Sequence, residues 1–304
     1  MKAMVGNLIF CVEGGGTKSR ARLVDTAGTT RAEAEGGPCN PSTGLDRALA
    51  TFNKLWQHCA ATAGFDPHEF GDVVLSIGAA GLYIPAARAK FLAATPRFAQ
   101  SFTSSDGYAA LIGASEGKPC GLIVMGTGAA GHRLWPNGLS AQRDGWGWMG
   151  GDRGSGVWLG IKAVRHTLAV IDGVQRRDGL SDSVLASVGG CARLSAMMSG
   201  VTPDRLAALA PVVLGAAAKG IPAAVDIRQR AIEHLTALAG VLDIGDDDTL
   251  YATGGLAPIF TPHLSKRLGH DIASPKSDAM RGCYLIATGR APAERVVDEV
   301  AQVN

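Results

Sequence analysis

The stretch "VEGGGTKSRARLVD", Val12 to Asp25, limits what this chain can fold into more than any other. Its glycines, threonine and lysine suggest a phosphate cradle, but the spacing is not that of a P-loop. That motif needs a glycine, four residues and then Gly-Lys-Ser/Thr, with a helix starting at the lysine. Here Thr17 separates Gly16 from Lys18, and "SRARLV" alternates polar and apolar residues as a strand does. "LIFCVE" before the glycines is a strand as well, so Gly14, Gly15 and Gly16 sit in the turn of a hairpin. Glycines in such a turn let backbone N–H groups approach an anion, and Thr17 adds a hydroxyl donor. The alternative is a plain hairpin turn with no ligand.

The hairpin occurs twice. The second copy is "GLIVMGTGAAGHRLWPNG", Gly121 to Gly138, with Gly126, Thr127 and Gly128 in its turn. Two copies about a hundred residues apart suggest two domains of related design, and 304 residues leave room for about two. One nucleotide held by both turns is the natural use. Between and beyond the hairpins, strands and helices alternate. Leu45, Ala48, Leu49, Phe52, Leu55, Trp56, Cys59 and Ala60 recur at helical spacing, with Ser42 or Thr43 as N-cap. "DVVLSIGAAG" reads as a buried strand, and "SFTSSDGYAALIGA" as a strand ending at Asp106 with a helix beginning near Gly107. Val157–Val170 reads as a helix after a glycine-rich loop. "DTLYATGGLAP" supplies a late strand and the turn Gly254-Gly255, and Val296, Val297, Val300 and Val303 share one face of a final helix. The class is α/β.

Composition removes several functions. Hydrophobic content of 46% with 18% charged residues is that of a globular enzyme and argues against disorder. A net charge of +2 with no basic stripe gives a nucleic-acid partner no electrostatic support. The cysteines at 11, 39, 59, 120, 191 and 283 form no Cys-x-x-Cys pair, which fits reduced thiols in a cytoplasm. "LIF" before Glu13 is too short for a signal-peptide core. The apolar run from Leu206 to Val225 is interrupted by Pro211, Gly215, Lys219, Gly220 and Pro222, so no membrane span is expected.

Together, "VEGGGTKSRARLVD", "SSDGYAAL", "VMGTGAAG", "DGWGWMGGDRGSGVWLG", "TGGLAP" and "PKSDAMRGCYLIA" resemble the BadF/BadG/BcrA/BcrD ATPase family in order and spacing, from about residue 8 to 290. Within it the chain is similar to the N-acetylglucosamine kinase and glucosamine kinase branch. The resemblance implies an actin-like, hexokinase-type duplicated fold with two domains around a nucleotide cleft. The expected domains are residues 1–113 and 114–290, with a helix over 291–304 returning to the first. It implies ATP and Mg²⁺, and transfer of phosphate to the 6-hydroxyl of an amino sugar. A homodimer is the expected assembly. The chain departs from the family pattern at Arg153, where a glutamate is usual, at Asp144, where glycine is common, and at Ala129, where serine is frequent. Glu13 replaces the commoner aspartate.

Phosphoryl transfer to an alcohol needs a phosphate cradle, a metal ion and an acceptor for the hydroxyl proton. The cradles are Gly14–Lys18 and Gly126–Gly128. Lys18 either places charge near phosphate or is a solvated surface lysine. Glu13, at a strand end, either holds Mg²⁺, directly or through water, or is an edge-strand charge. Asp106 sits where open α/β sheets put their ligands. By pattern alone it is equally a helix N-cap; the resemblance makes it the general base and a sugar ligand. Asn40 and Asp152 in loops suit sugar hydroxyls, and Gly145, Trp146 and Gly147 are expected to wall the sugar pocket. Of Trp146 and Trp148, one is expected in the core. Gly254 and Gly255 resemble the turn lying against adenosine. His132 and His166 read as structural. The competing functions are an ATPase that activates a partner redox enzyme and a sugar-sensing regulator. The ROK sugar kinases are a rival within the kinase class.

Overall fold

β1 (Leu8–Gly14) is almost wholly buried and lies at the centre of a five-stranded sheet. A computed structural model of the chain describes residues 7–245 and 247–296. β1 pairs antiparallel with β2 (Ser19–Asp25), Gly14 opposite Ser19, so Gly15 to Lys18 form the hairpin turn. β3 (Thr30–Gly36) continues the meander as an edge strand. Its outward residues Arg31, Glu33 and Glu35 are charged, a composition that discourages pairing with another chain. α1 (Leu45–Thr62) then crosses to β4 (Val73–Ala79), which runs parallel to β1. Every residue of β4 is buried, as expected for a strand covered on both faces. α2 (Pro85–Ala94) leads to β5 (Gln100–Ser104), parallel to β4, and α3 (Asp106–Ser115) follows at once. The strand order is β3-β2-β1-β4-β5. The strand order switches sides between β1 and β4, and open α/β sheets place ligands beyond the carboxyl ends of strands at such a point.

One face of this sheet packs on α1 through Phe10, Val12, Leu23, Leu75 and Ile77. Phe10 meets Phe52 edge-on at 5.7 Å and Trp56 at 5.1 Å, and Phe98 adjoins both helix aromatics. Each such pair contributes about 0.5–1.5 kcal/mol beyond area burial. The helical spacing is as expected, but the cap is not. Gly44, with no side chain to offer, is the N-cap of α1, while Ser42 and Thr43 turn back to Asn40.

The second set of elements repeats the first. β6 (Cys120–Met125), β7 (Ala129–Leu134) and β8 (Ser140–Asp144) are followed by the helices α4 (Gly156–Ile171), α5 (Gly179–Val188), α6 (Cys191–Met198), α7 (Pro203–Ala207), α8 (Ala210–Ala218) and α9 (Pro222–Gly240). β9 (Thr249–Thr253) and α10 (Ala257–Leu268) come next. The sheet order β8-β7-β6-β9 has the connectivity of β3-β2-β1-β4. The two glycine turns, after β1 and after β6, are therefore equivalent positions. Asp178 and Ser181 close a capping box on α5, and His166 of α4 meets the same Asp178 carboxylate at 2.9 Å. Trp148 packs against the core while Trp146 is 80% exposed, the division expected of that pair.

The structural boundary differs from the expected one at 113/114. Of the described residues, one compact unit comprises 7–121, His132–Ala141 and 274–296; the other comprises Leu122–Gly131 and the described part of Gln142–Ala273. A cut after Gly113 would split α3. α11 (Ala279–Ala287), expected in the second domain, packs on α3, β1 and β4 of the first unit. It is tied there by Ser76 Oγ donating to the Cys283 carbonyl at 2.8 Å and Tyr284 Oη donating to the Thr26 carbonyl at 3.1 Å. The expected last helix lies largely outside the described residues. Residues 291–296 are extended rather than helical, with Pro292 among them, and Ser140 donates its N–H to the Arg295 carbonyl at 2.9 Å. Among the described residues, no single helix is long and apolar enough to cross a membrane.

Candidate active site

In the first unit the structure gathers three segments at the carboxyl ends of β1, β4 and β5. The first glycine turn closes on itself, Gly15 N donating to the Lys18 carbonyl at 2.9 Å. It is held to its neighbours by Cys39 N donating to the Gly15 carbonyl at 3.0 Å and Ala80 N to the Gly14 carbonyl at 2.7 Å. A β-carbon on Gly14 would lie 2.7 Å from the Cys39 carbonyl oxygen and 2.8 Å from the Ala79 β-carbon. One on Gly16 would meet nothing within 4 Å. Gly14 is thus glycine for packing, and Gly16 faces open space. Thr17 and Lys18 are exposed.

The clamp brings Asn40 to the turn. Its Oδ1 accepts from Ser42 N at 3.0 Å and from Ser42 Oγ at 2.7 Å. That leaves the amide nitrogen as the group able to donate to a sugar hydroxyl. Glu13, at the end of β1, sits opposite Arg20 in register, and its Oε2 accepts from the Arg20 guanidinium at 2.5 Å. The second oxygen, Oε1, has no hydrogen-bond partner among the described residues.

Asp106 opens α3, but Ser105 caps it: Ser105 Oγ accepts the Tyr108 N–H at 3.1 Å. The Asp106 carboxylate is released from the capping role that the sequence allowed it. Loss of hydration pushes its pKa up to about 6, against the pull of the Gly107 N–H and its own; the charges of Glu13 and Glu294 push it the same way. His132, which the sequence marks as structural, is fully buried against Gly107, and burial lowers its pKa to about 4, so its ring is neutral.

In the second unit the other glycine turn is built equally tightly. Gly126 N donates to the Gly128 carbonyl at 2.9 Å, while Gly156 N and Val157 N of α4 donate to the Gly126 and Thr127 carbonyls at 2.9 and 3.0 Å. Gly254, at φ +99°, has no room for a β-carbon above the Met125 carbonyl, and Leu256 N donates to that same carbonyl at 2.9 Å. The turns Gly126–Gly128 and Gly254-Gly255 are therefore neighbours. Asp152 joins them: its Oδ1 accepts the Ala129 N–H at 3.2 Å, and burial raises its pKa, with the Asp144 charge adding to the effect.

Asp144, a departure from the family pattern, organises the next loop. It holds φ +57°, which explains why glycine is common there. Its Oδ1 accepts from Gly145 N and Asp152 N, both at 2.8 Å, and Oδ2 accepts from Arg153 N at 3.3 Å. Gly145, Trp146 and Gly147 ride on this clasp. The Arg153 side chain is exposed, and nothing in the structure assigns it the work of the usual glutamate. Ser105, Glu294 and Arg20 shape the site but were not singled out from sequence; only Ser105 carried a legible signal, as a good capping residue one position before Asp106.

Comparison with known proteins places this geometry. The BadF/BadG/BcrA/BcrD ATPase family model matches residues 12–275. The glucosamine kinase GspK of Vibrio cholerae is 24% identical over 282 residues, 92% of this chain and 96% of its own. An N-acetylmuramic acid/N-acetylglucosamine kinase of Clostridium acetobutylicum is 25% identical over 283 residues, covering 84% and 85% of the two chains. A solved protein of Chromobacterium violaceum, provisionally named an N-acetylglucosamine kinase, superposes with a TM-score of 0.87 at 31% identity over 93% of this chain and 99% of its own. The duplicated α/β architecture is the actin-like one. The chain belongs to the BadF/BadG/BcrA/BcrD ATPase family.

Proposed function

We propose that this protein transfers the γ-phosphoryl group of ATP to the 6-hydroxyl of an amino sugar, glucosamine or N-acetylglucosamine. The observation that carries this reading is the Asp106 carboxylate. It lies at the carboxyl end of β5, is spared from capping by Ser105, and is lifted to about 6. A carboxylate so tuned remains a base at neutral pH and is more basic than a solvated one. It accepts the proton of the sugar hydroxyl as that oxygen bonds to the γ-phosphorus and the bond to the bridging oxygen breaks, releasing ADP.

Both glycine turns bind phosphate in this reading, through backbone N–H groups and the Thr17 and Thr127 hydroxyls. Gly254-Gly255 lies against the adenosine. Asn40, Asp152 and the Gly145–Gly147 loop hold the sugar, with exposed Trp146 offering an apolar wall. A Mg²⁺ would be held by Glu13, whose Oε1 is unpaired, directly or through water; the ion supplies charge against the transferring phosphoryl group.

The same geometry disfavours a redox-activating ATPase. Cys11, Cys39, Cys59, Cys120 and Cys283 are buried, and burial pushes the thiols of Cys39 and Cys59 up to about 11 and Cys283 to about 12; Cys191 alone is exposed, so the chain offers no exposed pair of thiols to a cluster. Thiolate ligands need the opposite environment.

The test is ADP release over a panel of free sugars, repeated with Asp106→Asn. Glucosamine or N-acetylglucosamine should give the highest kcat/KM, and the variant should lose roughly 10²–10⁴-fold in kcat with little change in sugar affinity. A variant with near-normal kcat removes Asp106 as the base; ADP release indifferent to every sugar removes the kinase reading.

A further inference from the structure

Glu294 reaches back 189 positions to the residue that precedes the proposed base. Its Oε2 accepts the Ser105 N–H at 2.8 Å and its Oε1 accepts the Ser105 hydroxyl at 2.7 Å. The Ser105 hydroxyl, its proton thus committed, accepts the Tyr108 N–H at 3.1 Å. The Ser105 N–H, the Ser105 hydroxyl proton and the Tyr108 N–H are thus all assigned. The strap carrying Glu294 is fixed on both sides of it. The Pro292 carbonyl accepts the Tyr108 hydroxyl at 2.9 Å, and the Arg295 carbonyl accepts the Ser140 N–H at 2.9 Å.

We propose that Glu294 is a positioning residue for phosphoryl transfer: by holding Ser105 through both carboxylate oxygens it fixes the first turn of α3 and so the place of the Asp106 carboxylate. This rests on the reading of Asp106 as the base. A structural cap needs no such arrangement. Ser105 alone satisfies the Tyr108 N–H, and a neutral acceptor would serve the Ser105 N–H. The chain instead places a half-buried carboxylate near enough to Asp106 for its charge to raise that carboxyl's pKa, a placement that costs stability, since loss of hydration also raises the pKa of Glu294, with Arg88 pulling the other way. What the ion adds is two short charge-assisted bonds, which tolerate little movement. Positional precision of that kind is what catalysis requires, because displacement of a catalytic group by about 1 Å can cost about 10²-fold in rate.

The experiment compares Glu294→Gln, Glu294→Ala, Ser105→Ala and the double variant Ser105→Ala/Glu294→Ala, with Asp106→Asn alongside. Melting temperature, kcat, and KM for ATP and the amino sugar are measured for each. Glu294→Gln keeps one acceptor oxygen and should lose about 10-fold in kcat; Glu294→Ala should lose about 10²-fold. Both KM values should stay within about threefold. The double variant should be no slower than the slower single one, because the two residues act as one unit. A folded Glu294→Ala with wild-type kcat and only a lower melting temperature would reduce Glu294 to a helix support and overturn the proposal. If the alanine variant does not fold, an unchanged kcat in Glu294→Gln overturns it equally. Loss of kcat in Asp106→Asn without loss in the Glu294 variants sinks this proposal alone. Full activity of Asp106→Asn sinks the base reading first, and this one with it.

Discussion

The imidazole of His132 fills the space that Gly107 leaves by having no side chain, so closely that a β-carbon there would overlap the ring. His132 is buried on every side, and Gly107 is the residue after Asp106. The pair therefore braces the turn that presents the proposed base. Gly107→Ala forces either the ring or α3 to move. We expect kcat to fall at least about 10-fold, together with a loss of about 1–3 kcal/mol from overpacking. His132→Ala in the same chain should restore part of both, because it opens the space the methyl needs. A Gly107→Ala enzyme with normal kcat would show that the turn has slack.

Acid should switch the enzyme off near the pKa of Asp106. The carboxyl must be ionised to take a proton, and burial lifts it to about 6 in the folded protein from an ordinary value of 3.8. The sugar kcat/KM, which reports the free enzyme, should fall below about pH 6. The stability consequence has the opposite sense. Ionising Asp106 is harder in the folded state, so this group adds stability as pH falls from about 6 toward 3.8 and subtracts it above 6. Asp106→Asn should then melt no lower than the parent at pH 8, while being catalytically impaired. A clear drop in its melting temperature at pH 8 would contradict the burial cost assigned to this carboxylate.

Gly14 and Gly16 look alike in the sequence, and their environments separate them. Gly14→Ala drives a methyl into the Cys39 carbonyl and the Ala79 side chain, and should destabilise by about 1–3 kcal/mol. Gly16→Val meets open space, so the melting temperature should hold. It places a branched side chain where phosphate would approach the backbone, and ATP affinity should fall by about 10-fold or more. Calorimetric titration with an ATP analogue checks this; unchanged affinity in folded Gly16→Val would remove the first turn from the nucleotide site.

What the sequence made legible was local. The hairpins were readable because strand alternation and glycine turns are short-range signals, and their repetition foretold two sheets of one connectivity. Asp106 was readable as either a base or a helix cap, because Ser105 and Asp106 are both good caps, and only the Tyr108 N–H, which goes to the Ser105 hydroxyl, chooses between the caps. Ser42 and Thr43 show the converse: two good caps, neither used, because Asn40 competes for them. The partner of α11 was misjudged because a short helix, buried at every position but Arg281, does not encode which sheet it joins. Glu294 was out of reach, since nothing near it in sequence hints at Ser105.

Asp144 offers the sharpest test of how the proposed sugar loop is built. The residue must tolerate φ +57° and also accept N–H bonds from Gly145, Asp152 and Arg153. No substitution keeps both properties in full, so the variants should fall in a definite order. Asn tolerates the left-handed region and retains Oδ1, which carries the two shorter bonds. Glycine relieves the backbone but loses every bond. Alanine loses the bonds and adds strain of about 1–2 kcal/mol. We therefore expect sugar KM to rise in the order Asn, Gly, Ala, with alanine about 10-fold or more above the parent and ATP KM less affected. Melting temperatures should follow the same order, since each charge-assisted bond contributes about 1.5–3 kcal/mol at most. If Asp144→Gly equals the parent in sugar KM, the carboxylate does nothing that the backbone conformation alone does not, and the clasp is an accident of a position where glycine is the simpler choice.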